Sequence, residues 1–548
     1  MVVLIIVKTG NSISAAQPSD FCQVILSRNC LMTTTISDRS FEIVYNTIMT
    51  TGRKFTFLDY SFDQEGLVAS FRYQGIDDVV FTEKVEFARP FDVGVGKTEP
   101  EALERALFLC FMLIGTSYYK AHPTAEVSLD KPLDAWQAEF FNHVYQEGLS
   151  QYAYENGLAR EDLAHFHPVI DDSGSGNGAV GTDRGESAVV DGDERDGMIV
   201  GDEGGKVVGN VRQTLVSLAD TDTPRVLSLQ SGGKDSLLTA TLLAKNHIPY
   251  TAWYLTSGTS HPEILDRLPG SSGKTAIVES TSKQRETSQS DSGRNELMQS
   301  SSPLLQIAHR QIDLANLRKS GGLNGHVPVT YIVQSLALVQ AILNGQTFVL
   351  TSIGQEGNEA HAYIGDLAVN HQWSKTWSAE QAFAEYVTRY VMPIKSIQVG
   401  SPLRALTELA IAGQFAKLCW REYGHDFSSC NEANYRQKSN NQELHWCGDC
   451  AKCANSYLLF APFLAPEELQ SIFNGEDLFV KPSLTEFFKG LLGVDEAIKP
   501  FECVGEVGEL RRAYHLRRDG YGSLPFEVPE SDFDYLARGA MQDELRLG

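Results

Sequence analysis

The sequence predicts an α/β chain: a doubly wound parallel sheet, preceded by a smaller α+β domain and carrying a cysteine-cluster segment toward the C-terminus. Three observations carry this. Beyond residue 224, short apolar runs alternate with helical stretches, as they do where crossover helices join parallel strands. Before that, three segments alternate apolar and polar residues. Near the C-terminal end, Cys447, Cys450 and Cys453 crowd together, with Cys430 and Cys419 upstream.

The elements follow in order. Residues 1–50 show no sustained period and read as an irregular extension. From Lys54, KFTFLDYSFD, LVASFRYQG and VVFTEKVEFA read as a meander with one buried face. Residues 99–120 are apolar almost all round and predict a deeply buried helix, with a second helix at 133–147. These make up the smaller domain, 51–165. Residues 171–205 hold ten Gly, ten Asp or Glu and no aromatic, a composition that cannot repay the entropy of ordering, so they read as a disordered acidic linker. The α/β domain spans 210–420. In it RVLSLQ (225–230), YTAWYL (250–255) and QTFVLTS (346–352) are strand candidates. SLLTATLLAKN (236–246) and 327–345 are helices, and 271–302, with ten serines, is an insert. Residues 421–548 form the cysteine-bearing C-terminal region.

At 548 residues the chain has length for about three or four domains. Its net charge of −24 argues against a broad phosphate-gripping surface, so no nucleic-acid partner is expected. The apolar start VVLIIV is far short of the roughly 20 residues that span a bilayer, and it lacks a basic leader. Nine cysteines with one tight cluster fit a reduced, cytoplasmic protein with a metal-type site, with no membrane insertion.

Ser231-Gly232-Gly233-Lys234-Asp235-Ser236 lies between a strand and a helix. The Gly pair lets the backbone approach an anion, and the helix behind it offers unpaired N–H groups and a positive dipole end. Ser231 and Ser236 add hydroxyl donors, and Asp235 suits a Mg²⁺ accompanying a phosphate. The bland alternative is a capped Gly-rich turn. SGGKDS resembles the pyrophosphate loop of the PP-loop ATP pyrophosphatases. That resemblance implies ATP and Mg²⁺ as cofactors and a sheet of that type, with Ser231, Gly232, Gly233, Asp235 and Ser236 holding the pyrophosphate. Lys234 falls at the family's variable position.

Cys447-Gly-Asp-Cys450-Ala-Lys-Cys453 spaces its thiolates so that they converge on one ion, and four thiolates close a tetrahedral Zn²⁺ site of structural role. Cys430 is the chosen fourth ligand, with His445, His425 and Cys419 as competitors; an iron–sulfur cluster is the alternative. The pairing of this cluster with SGG-x-DS is similar to 7-cyano-7-deazaguanine synthase, whose chains are shorter and lack the first domain.

Further segments punctuate the chain: GTSYYKAHP, GHVPVT (325–330), LTSIGQEGNEA (350–360), VNHQWSK (369–375), SPLRALTE (401–408) and KPFECVGE (499–506). His371 and Lys375, four apart, would share a helical face and hold an anion, or be a solvated face. Arg404 suits a bidentate clamp on a carboxylate or phosphate, or a helix cap after Pro402. Glu356 and Glu359 follow a strand end, where open α/β sheets place ligands. Lys120 is a weaker candidate, and Cys503 reads as a buried thiol before it reads as a base.

In order and combination these motifs resemble the UDP-N-acetyl-muramoyl-L-alanyl-L-glutamate epimerases, over roughly 53–165, 210–270 and 303–520. The resemblance implies an ATP-dependent isomerase of peptidoglycan precursor synthesis, inverting the terminal L-Glu of a nucleotide-sugar peptide to D-Glu through an adenylated carboxylate, with release of AMP and pyrophosphate. A base of near-neutral pKa is then needed, with His371, Lys375 and Glu356 as candidates. Competing readings are a PP-loop ligase forming nitriles or amides, a tRNA-modifying enzyme, which the charge disfavours, and a nucleotide-sensing scaffold.

Overall fold

The computed structural model describes residues 23–26, 30–33, 54–90, 100–169, 225–270, 304–355, 357–393, 397–436 and 442–535. Glu356, the acidic linker 171–205 and the Ser-rich insert 271–302 lie outside the described residues. The chain divides into two units, Met1–Lys54 and Phe55–Gly548. In the first, within the stretch read as irregular, Gln23–Leu26 (β1) pairs antiparallel with Cys30–Thr33 (β2).

The second unit is organised on a sheet of nine strands: Phe55–Asp63 (β3), Val68–Gln74 (β4), Val80–Glu86 (β5), Val127–Leu129 (β6), Val226–Leu229 (β7), Tyr250–Thr256 (β8), Leu304–Gln311 (β9), Phe348–Leu350 (β10) and Gln398–Gly400 (β13). Ala362–Ile364 (β11) and Leu367–Val369 (β12) form a separate hairpin. The order across the sheet is β13-β10-β7-β8-β9-β5-β4-β3-β6. The first five strands run parallel, and so do β3 and β6; the meander is antiparallel. The helices that matter to the site are Pro100–Tyr119 (α1), Ala135–Gln146 (α2), Ser150–Asn156 (α3), Lys234–Lys245 (α4), Val329–Asn344 (α5), Trp377–Tyr386 (α6), Glu408–Leu418 (α7), Ala451–Phe460 (α8), Thr485–Leu492 (α9) and Val507–His515 (α10).

The parallel strands are apolar on both faces because both are covered. Val226, Tyr250, Phe348 and Leu350 enter one core with Leu237 and Leu238 of α4 and Leu409 of α7. Their neighbours Leu227, Trp253 and Val349 enter the other, with Leu336 and Leu338 of α5 and most of α1. The meander has a single apolar face, Phe55, Phe57, Phe71, Tyr73, Phe81 and Val85, laid against α1. Tyr73 Oη donates to Phe111 O at 2.7 Å, and the two rings stack at 5.1 Å. α1 comes so close that a Cβ on Gly115 would lie 2.7 Å from Phe57.

The sequence set 51–165 apart as a domain of its own. In the structure its strands extend the parallel sheet, because Lys84, Val85 and Glu86 of β5 pair antiparallel with Gln311, Arg310 and His309 of β9. A buried charged network marks the joint. Arg310 Nε and Nη2 meet the Glu83 carboxylate at 2.7 and 3.2 Å, Tyr118 Oη donates to it at 2.8 Å, and Arg310 Nη2 also donates to Ser117. Glu83 is fully buried, so such a charge is tolerable only when paired and hydrogen-bonded as here. No helix among the described residues is long and apolar enough to cross a membrane.

Candidate active site

Strand order reverses between β7 and β10. From β7 the chain steps through α4 to β8 and on to β9, then returns by α5 to the opposite side of β7. Open α/β sheets bind ligands at the carboxyl ends of strands at such a reversal. The Ser231–Ser236 loop leaves the carboxyl end of β7 there. Gly232 sits at φ +79°, in the left-handed region, and a Cβ on it would lie 2.6 Å from Leu444 and 3.1 Å from Ile264. Gly233 stands at the N-cap of α4 and supplies no side-chain cap. Ser236 Oγ accepts from Ser231 N at 3.2 Å and donates to Gly233 O at 3.1 Å, while Gly233 N donates to Ser231 Oγ at 3.3 Å. The two hydroxyls thus brace the turn around the helix start.

Lys234 does more than its place in the motif suggested. Its Nζ folds under the loop and donates to Asp235 Oδ1 and Glu408 Oε2, each at 2.6 Å. Burial alone would lower its pKa, but the two carboxylates outweigh that and raise it well above the usual lysine value. Glu509, against the same Glu408, accepts from Leu409 N at 2.7 Å; burial pushes its carboxyl up to about 8. Beside the loop lies a cavity of about 220 Å³ lined by Gln230, Ser231, Trp253, Tyr254 and Thr256 among others. Gln230 Oε1 and Trp253 Nε1 are buried in its wall without a hydrogen-bond partner, one acceptor and one donor.

A second cluster gathers the punctuating motifs. His371 follows β12, His361 precedes β11, and His326 precedes α5. The His326 and His371 rings are 4.3 Å apart, and His361 lies 6.3 Å from His371. Phe501 stacks on His361 at 5.4 Å. Burial, more than the neighbouring charges, lowers all three pKa values, to about 3 for His326 and His361 and about 4 for His371, so the rings are neutral at pH 7. His361 is buried, with the Glu502 backbone as the hydrogen-bonding group beside its ring. Lys120 Nζ donates to Gly325 O at 3.0 Å, next to His326; burial and then Arg310 lower its pKa. Lys499 bridges to Glu359 at 2.8 Å, and Glu359 accepts from Val507 N at the start of α10. Lys452 Nζ donates to Cys503 O.

His371 and Lys375 do not share an α-helical face. His371 precedes a single 3-10 turn, Trp373–Lys375, and the Lys375 charge faces the ring and depresses its pKa. Arg404 is engaged by the protein itself. It is 6% exposed, with Nη2 on Glu380 Oε2 at 2.7 Å and Nη1 on Gly354 O and Lys375 O at 2.8 and 2.9 Å. It therefore ties the loop after β10 to α6 and to the turn carrying Lys375. His326 lies within GHVPVT and His361 directly follows LTSIGQEGNEA, and neither segment by itself signals that the two rings meet His371.

The third feature is the cysteines. The sulfur atoms of Cys430, Cys447, Cys450 and Cys453 all lie within 4.8 Å of one another. Cys430–Cys450 and Cys447–Cys453 are 3.7 Å apart and Cys450–Cys453 3.6 Å. Four sulfurs bound tetrahedrally at about 2.3 Å stand ~3.8 Å from one another, so the set has the spacing of a single-ion site. Backbone N–H groups of Ala433, Gly448 and Asp449 point at the sulfurs, at 3.3 to 3.4 Å. Of the competitors for fourth ligand, Cys419 is instead buried against Thr241, and neither His445 nor His425 joins the group. The cluster adjoins both other features. Ser429 lies 3.8 Å from where a Gly233 Cβ would stand, and Asn431 donates to Glu502 at 2.7 Å, whose charge faces His371.

Comparison with known proteins bears on what this arrangement does. Residues 47–192 and 288–395 match the MurL N-terminal domain, and 426–520 match the MurL C-terminal domain. A protein of Salinispora tropica named UDP-N-acetyl-alpha-D-muramoyl-L-alanyl-L-glutamate epimerase is 31% identical over 504 residues, 89% of this chain and 91% of the relative. Proteins of the same name from Xanthomonas oryzae pv. oryzae and a Micromonospora species are each 30% identical over 464 residues. These alignments take in 84% and 83% of this chain and 84% of each relative.

Proposed function

The chain belongs to the MurL family, and from that premise we propose that it inverts the terminal L-Glu of UDP-N-acetylmuramoyl-L-Ala-L-Glu to D-Glu, at the expense of ATP, in peptidoglycan precursor synthesis. The observation that carries the reading is the SGGKDS loop at the strand-order reversal, linked through Ser429 to Asn431 and Glu502 to the neutral histidines of the family's motifs.

The chemistry explains why both clusters are needed. A carboxylate is a poor electron sink, so the proton beside it is hard to remove. When the substrate carboxylate attacks the α-phosphorus of ATP, pyrophosphate leaves and a mixed anhydride forms, whose carbonyl can accept the electrons of an enolate. A base then takes the Cα proton, a proton delivered from solvent to the opposite face inverts the centre, and water releases product and AMP. In this reading the sheet is of PP-loop type. Ser231, Gly232, Gly233 and Ser236 hold the departing pyrophosphate, and Asp235 holds its Mg²⁺ once released from Lys234. The cavity beside Trp253 takes the nucleotide base, with Gln230 Oε1 and Trp253 Nε1 as its acceptor and donor. His371, neutral at pH 7, is the base candidate, and Lys375 and Lys120 supply positive charge for the anionic substrate. The four thiolates fit Zn²⁺, which would hold Cys430 and the start of α8 together and so fix the wall between the two clusters.

The test is incubation with ATP, Mg²⁺ and the L-Ala-L-Glu substrate, followed by hydrolysis and chiral analysis. D-Glu together with substrate-dependent AMP is expected, with solvent deuterium appearing at Cα. Absence of D-Glu and of substrate-dependent AMP would overturn the assignment.

A further inference from the structure

His371 Nδ1 lies 2.6 Å from Gln151 Oε1, and Gln151 Nε2 lies 2.7 Å from Glu155 Oε1. Gln151 and Glu155 are one turn apart on α3, so a single short helix carries both. The hydrogen-bonding capacities leave one consistent assignment. An ionised carboxylate only accepts, so the amide must turn its NH₂ toward Glu155. That leaves the amide oxygen facing the imidazole. An amide oxygen also only accepts, so Nδ1 must carry the hydrogen. In a neutral ring the other nitrogen is then unprotonated.

We infer that Gln151 is a positioning residue that, oriented by Glu155, locks His371 in its Nδ1–H tautomer and presents Nε2 as the proton-accepting atom. Gln151 is buried, 6% exposed, whereas Glu155 is exposed at the far end of the relay. The same logic bears on inversion. The His326 and His371 rings, 4.3 Å apart, are too close for a substrate carbon to sit between them. They therefore cannot flank Cα from opposite faces, and a proton arriving on the face away from His371 comes from a group other than His326.

This inference rests on the epimerase reading for its catalytic meaning, but the tautomer does not, and the experiment separates them. The ring of His371 in the full-length protein, labelled with ¹⁵N, is assigned with a His371→Asn control. Nδ1 should read as protonated and Nε2 as bare at pH 7. Gln151→Leu should abolish that pattern and lower kcat by roughly 10²–10⁴-fold, the usual contribution of a general base, with KM little changed. Gln151→Glu retains the acceptor and should restore the tautomer. Its carboxylate would favour the imidazolium, moving the acid limb of the kcat profile to higher pH. The other charges facing the ring, Glu502, Lys375, Lys452 and Glu155, together with the His326 and His361 rings, are common to all three proteins. A protonated Nε2 in the wild type, or an unmoved profile in both Gln151 variants, would overturn the inference. If Gln151→Leu fails to fold, the wild-type spectrum and Gln151→Glu still decide. A wild type with the Nδ1–H signal but no epimerisation would overturn the base role while leaving the tautomer lock standing.

Discussion

Lys234 Nζ and Glu408 Oε2 meet at 2.6 Å across 174 residues of sequence, with both side chains under 10% exposed. The pair fastens the Ser231–Ser236 loop to the start of α7. Removing one partner strands the other charge in the interior, so Lys234→Met should destabilise the protein by about 3–5 kcal/mol. Lys234→Met with Glu408→Gln should recover part of that loss. Urea unfolding of the three proteins measures it, and equal midpoints for wild type and single variant would refute it.

Asp235 should be released from Lys234 when a phosphate-bound Mg²⁺ arrives. Asp235→Ala is expected to abolish AMP formation while leaving the free energy of unfolding in urea within about 1 kcal/mol of wild type, because Lys234 keeps Glu408. Gly232→Ala should weaken the same step for a different reason. Its φ of +79° and the crowding by Leu444 would shift the loop, at about 1–3 kcal/mol of strain. Pyrophosphate release assays on both variants test this.

The four cysteines should hold one Zn²⁺ per chain. Elemental analysis of the purified protein is expected to show it, and Cys453→Ser to lose it along with several degrees of Tm. A wild type carrying neither zinc nor iron would remove the site.

Acidification should loosen the histidine cluster. His326, His361 and His371 have folded pKa values depressed to about 3, 3 and 4, below the roughly 6.5 of an unfolded histidine. Protonation then favours the unfolded chain. The stability these rings contribute is complete above about pH 6.5 and is lost as pH falls toward about 4 and then 3. Tm measured from pH 7.5 to 4 should fall, and His361→Asn should flatten the slope. An identical slope in that variant would contradict the burial argument.

Much of the fold was legible because its signals are local. RVLSLQ and YTAWYL are apolar on both faces, as strands covered twice must be, and the period-two pattern of Phe55, Phe57, Phe71 and Tyr73 announced a single buried face. The strand–loop–helix setting of SGGKDS and the grouping of Cys430 with the other three cysteines were legible for the same reason: each rests on spacing between close neighbours. What escaped was non-local. Nothing in VVFTEKVEFA names β9 as its partner, so the smaller domain looked separate. Arg404 looked equally suited to a ligand or a helix cap, and only the fold shows Glu380 waiting for it. His326 and His361 carry no motif chemistry alone; they matter because two loops bring them to His371.

The joint between β5 and β9 also sets a schedule for synthesis. Glu83 and Arg310 are 227 residues apart, so on a ribosome adding about 5–20 residues per second the edge of β5 waits roughly 10–45 s for its partner. Throughout that interval the nascent meander exposes an open edge, and Glu83 lacks its counter-ion. An unsatisfied edge of this kind invites pairing with another chain. The N-terminal meander should therefore depend on chaperones during translation, and when expressed alone it should aggregate rather than fold.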